Sequence, residues 1–98
     1  MTENNPEKKI NLNISKDIAN GSYNNIIITS YTKEEFVLDF GFIKPNNPQA
    51  DIQSRIIITP KNAKNLADTL QENIKNYEKK FGPLDDQSGQ SKINFSFN

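Results

Sequence analysis

With no histidine, cysteine or tryptophan among 98 residues, the chain lacks the commonest general base, the thiolate nucleophile and the soft metal ligands. Any chemistry therefore rests on carboxylates, hydroxyls, tyrosines and lysines. Glu34-Glu35 and Asp85-Asp86 are adjacent acidic pairs. Neighbouring residues of a strand point to opposite faces, so Glu34 and Glu35 do not form a carboxylate dyad, and both pairs read as solvated. No glycine-rich phosphate loop, serine-centred elbow or calcium loop is present in the sequence. These absences predict a protein that is not an enzyme and holds no cofactor or metal.

The remaining polar candidates are few. Arg55 is the only arginine beside eleven lysines. The strand pattern puts it on the same sheet face as Asp39. The plainer reading is a cross-strand or intersubunit salt bridge; the sharper one is an anion or partner contact. Lys61 and Lys64 fall in the first turns of a helix, where cations oppose the dipole. That placement suggests an anion nearby, against plain solvation as the alternative. Tyr23 and Tyr31 could stack on bases, yet a chain with zero net charge and one arginine is a poor nucleic-acid binder.

The elements that must position these residues are legible in the hydrophobic period. Ile10 to Ile14 alternates strictly and predicts a short edge strand. Ser15 to Ser22 reads as a turn or bulged crossing. Tyr23 to Ser30 predicts a second strand and Glu35 to Ile43 a third, joined by a hairpin. In the third, Phe36, Leu38, Phe40 and Phe42 share one face, with Val37, Asp39 and Ile43 on the other. Lys44 to Pro48 is a turn, and Asp51 to Ile58 a fourth strand. Thr59 then caps a long amphipathic helix with Pro60 at its first position; Gly82 and Pro83 end it. Ala63, Leu66, Ala67, Leu70, Ile74, Tyr77 and Phe81 form its apolar stripe. The expected fold is α+β, a four-stranded antiparallel sheet with this helix packed on the Phe36/Phe40 face. A coiled coil is the alternative use of the stripe. Residues 1–9 are expected to be disordered, 10–84 to form one domain, and 85–98 to form a flexible tail, the alternative being that Lys92 to Phe97 forms a short strand or docking segment.

So small a domain buries only about 60% of its unfolded surface, and without cysteines no disulfide can compensate. Self-association is the common remedy, so a homo-oligomer, dimer or tetramer, is expected. Val37, Ile43, Ile57, Asp39 and Arg55 are the candidate interface or partner residues, because the sheet face opposite the helix is too apolar to be left in water. Lys61 and Lys64 are the candidate anion contacts. The polar start and short apolar runs predict a cytoplasmic protein without a membrane span.

Several blocks resemble a known family: Glu35 to Phe40, Ser54 to Ile57, Thr59-Pro60, Ala63-Lys64, Leu66, Leu70, Asn73-Ile74, Tyr77-Glu78 and Phe81-Gly82. The family is a set of small bacterial and archaeal proteins catalogued as domain of unknown function 3467, and the likeness covers about residues 10–84. The resemblance implies a compact strand-rich domain with a C-terminal helix and carries no activity. The order of four strands then a helix is also similar to that of SecB, a tetrameric export chaperone, at the level of architecture only. The expected function is a non-catalytic oligomeric binding protein, an adaptor or chaperone-like module. The alternative is a nucleic-acid-associated regulator using Lys61, Lys64 and Arg55 on phosphates.

Overall fold

The structure is a computed structural model that describes residues 8–84. It contains α1 (Lys16–Ala19), β1 (Ile26–Tyr31), β2 (Phe36–Ile43), β3 (Ala50–Ile58) and α2 (Pro60–Phe81). The strands form one antiparallel sheet of three, in the order β1-β2-β3. The fold is thus α+β, with a long helix after the sheet, as expected. The tail over 85–98, with its Lys92 to Phe97 segment, lies outside the described residues, as do residues 1–7 of the N-terminus.

Two expectations are corrected. Ile10 to Ile14 forms no strand; Ile10, Leu12 and Ile14 are 66–90% exposed. Alternation supplies one apolar face, but a strand also needs a neighbour to take its backbone groups, and this segment has none. The stretch after it is not a plain turn. Ser15 accepts a bond from the Ile18 amide at 3.3 Å and starts the one-turn helix α1, a local cap winning over turn chemistry. Gly21, at φ 76°, redirects the chain behind it.

By internal contacts the chain divides into two compact units. In the first, Met1–Ile28 with Leu38–Arg55, Ile26 is the buried hydrophobic residue and Asp39 the buried charged one. Asn25 docks on the end of β2: its side chain accepts from the Ile43 amide at 2.8 Å and donates to the Ile43 carbonyl at 3.0 Å. Its own amide donates to the Gly41 carbonyl at 3.0 Å. Tyr23 meets Phe42 edge-on at 6.0 Å. Gly41 is where β3 comes closest, since a Cβ there would sit 2.7 Å from the Asp51 carbonyl oxygen. A glycine inside a strand often marks such an approach. The β2–β3 turn carries Asn46 at φ 63°, a left-handed conformation that asparagine tolerates.

The second unit is Thr29–Val37 with Ile56–Asn98. Its hairpin closes through the Thr32 amide and Glu35 carbonyl at 2.9 Å, and Tyr31 stacks on Phe36 at 5.5 Å. Helix α2 has the ends its sequence dictates. The Thr59 hydroxyl accepts from the Asn62 amide at 3.2 Å. The Gly82 amide donates to the Glu78 carbonyl at 2.8 Å, with Gly82 at φ 98°. The expected burial of the stripe is not made: α2 has no buried residue. Leu66, Leu70, Ile74, Tyr77 and Phe81 are 40–66% exposed.

Candidate functional site

Two features stand out as sites, an ion pair on the sheet and an uncovered helix face. The ion pair arises because β2 and β3 alternate in phase, so that Asp39 and Arg55 stand on one face. Arg55 Nε donates to Asp39 Oδ1 at 2.7 Å, and Nη2 donates to Oδ2 at 3.0 Å. This is the parallel two-bond geometry that a guanidinium forms with a carboxylate. The Asp39 side chain is 2% exposed and that of Arg55 58%. The carboxylate is thus buried while its partner lies at the surface. The Arg55 hydrogen bond, helped by its charge and opposed by desolvation, holds the Asp39 carboxyl below its ordinary value of 3.8. The same bond raises the guanidinium of Arg55. A carboxylate held in this way is a poor proton acceptor, and the pair clasps β2 to β3.

The other residues singled out by the sequence are dispersed. Val37 and Ile43 are half-buried on β2, and Ile57 is 57% exposed on β3. Lys61 and Lys64 are exposed in the first turns of α2. Among the described residues neither pairs with a carboxylate. Tyr23 and Tyr31, candidates for base stacking, instead lie against Phe42 and Phe36. No group of three or more acidic residues among the described ones could hold a metal ion. No helix among them is long and apolar enough to cross a membrane.

The helix face is larger. At side-chain areas on the order of 200 Å², the exposed fractions of Leu66, Leu70, Ile74, Tyr77 and Phe81 leave roughly 500 Å² of apolar surface in one stripe. Single exposed hydrophobics are ordinary, but a continuous patch of this size is the mark of an interaction surface. At its C-terminal end the rings of Tyr77 and Phe81 lie tilted against each other, 5.0 Å between centres, and Lys80 lies 5.4 Å from the Phe81 ring centre. The Leu84 amide donates to Glu78 Oε2 at 2.9 Å, which turns the chain back toward the stripe. There Asn73, Ile74, Tyr77 and Leu84 line an open depression of about 400 Å³. Sequence reasoning missed Gly41, Asn25 and the Glu78 clasp. Only Gly41 carried a signal, a glycine in mid-strand.

A small antiparallel sheet with a pinned ion pair, followed by a long amphipathic helix, defines an α+β protein. The chain belongs to the family described as Protein of unknown function (DUF3467), whose profile matches residues 1–86. No curated protein and no solved structure matches it. With three strands rather than four, its element order no longer coincides with that of SecB.

Proposed function

We propose that this protein is a non-catalytic, homo-oligomeric binding protein, an adaptor or chaperone-like module working in the cytoplasm. The observation that carries the reading is α2, 22 residues long with none of them buried. Isolated helices owe little stability to propensity alone, and most of it comes from packing an apolar face. A face left as open as this one calls for a partner. Assembly gives the helix a surface to pack on. A binding role suits an inventory without histidine or cysteine. The nucleic-acid reading is weaker, because Asp39 already engages the single arginine. Sedimentation of the full chain between about 1 and 100 μM tests the proposal. A dimer or tetramer is the expected species; a well-folded monomer throughout that range overturns it.

A further inference from the structure

Resting on that oligomeric reading, we infer that the exposed face of α2 is the seam between two copies of the chain, which pair their helices antiparallel. The seam residues are Ala63, Ala67, Leu70, Ile74, Tyr77 and Phe81. Their spacing alternates strictly between four and three, the repeat that keeps one line of side chains facing a neighbouring helix. The three larger pairs of contacts are not interchangeable along the helix. Both alanines stand in the N-terminal half and both aromatic rings at the C-terminal end. A parallel pair would set alanine on alanine at one end, leaving a void, and ring on ring at the other, crowding it. An antiparallel pair centred near Glu72 sets Ala63 against Phe81 of the second copy, Ala67 against Tyr77, and Leu70 against Ile74. Each layer then joins a small group to a large one, or two of equal size, the arrangement that fills a core evenly.

The flanks agree with the same register. On one side Lys64 falls opposite Glu78 of the second copy, twice by symmetry. On the other, Asn73 meets its own counterpart near the two-fold axis, where a polar residue can fix alignment. Glu78 is held at that flank by its bond from the Leu84 amide. Lys64 gains the counter-charge that its place in the first turns of α2 otherwise lacks. Lys61, Asp68, Glu72, Lys75 and Lys79 lie on the far side of the helix, so no like charges meet across the seam. A rim so nearly neutral selects against a highly charged partner and accepts an identical helix. With Leu66 flanking the seam, the stripe's roughly 500 Å² per copy gives about 1,000 Å² in total, the lower limit for a specific interface.

The chain has no cysteine, so single cysteines carry spin labels without ambiguity. Labels at Asn73→Cys are expected to give the shortest distance between copies. Labels at Lys61→Cys should lie about 30 Å further apart along the axis, from the helical rise of about 1.5 Å per residue. Equal distances at the two sites would mean a parallel pair, and no resolved distance at position 73 would mean a different seam. Either result overturns the inference while leaving an oligomer seen by sedimentation in place; a monomer overturns both. Lys64→Glu and Glu78→Lys should each weaken dimerisation about ten-fold, and the double exchange should restore it to within about three-fold. Restoration matters because Glu78→Lys also breaks the Leu84 bond, which Lys64→Glu cannot repair. Failure of the double variant to recover overturns the register.

Discussion

The middle strand and the long helix are both rich in large apolar groups, yet one is covered along its length and the other has no buried residue. Every residue of β2 is buried or half-buried, whereas α2 buries none. The difference follows from what each element needs. A central strand receives its neighbours from short connections: Asn25, Tyr23 and Arg55 all reach β2 through hydrogen bonds or ring contacts within one compact unit. A helix meets its own hydrogen bonds internally and needs only apolar cover, which any matching surface can supply. The strand is therefore covered within the chain, and the helix keeps its apolar face open.

The sharpest way to break the strand side of this contrast is Gly41→Ala. The new Cβ would meet the Asp51 carbonyl oxygen at 2.7 Å and Ile52 Cδ1 at 3.1 Å. A backbone atom cannot step aside as a flexible side chain does, so β3 must shift. A loss of about 1–3 kcal/mol is expected, seen as a fall of roughly 5–15 °C in the melting temperature. A melting temperature unchanged within 2 °C or so would show that β3 is less closely held than the geometry indicates.

Next in size is Asp39→Asn, which keeps the shape of the clasp and removes its charge. The variant should melt below the parent at neutral pH, and Arg55→Lys should fall between them, since a lysine cannot form both bonds. The pH dependence has a definite sign. Asp39 has a folded-state pKa below its unfolded value near 3.8. Its contribution is therefore complete above roughly pH 5 and lost as pH falls through the folded value. Thermal melts of parent and Asp39→Asn should differ most near neutrality and converge as pH falls through the folded value. A gap that persists in acid would mean that the carboxylate's charge is not what stabilises the pair.

How much of this was legible follows the same division. The faces of β2 and β3 could be assigned from period alone, which is why Asp39 and Arg55 could be placed together before any contact was known. Both ends of α2 could be read because Thr59, Pro60 and Gly82 act within one turn of where they stand. The fourth strand could not. Ile10, Leu12 and Ile14 have the right spacing, but whether they pair depends on an edge elsewhere, and alternation contains no information about it. Asn25 was missed for a related reason: an asparagine bridging the amide and carbonyl of Ile43 looks no different in sequence from one in a loop. The cover of the helix was misjudged because amphipathicity states that a face will be buried and is silent on what will bury it.

The smallest effect probes the helix side. Thr59→Ala removes the hydroxyl that accepts from the Asn62 amide and should cost about 1 kcal/mol of helix stability. In an element locked into a core, such a loss is spread over the whole cooperative unit and changes helix content little. In α2, which lacks burial within its own chain, the cap forms a large part of what holds the first turns. Helix content measured by circular dichroism should then fall in the variant at low micromolar concentration and recover as concentration rises, because association supplies the missing apolar cover. A loss of helicity independent of concentration would mean that α2 is stabilised within the single chain, and the contrast between strand and helix would have to be redrawn.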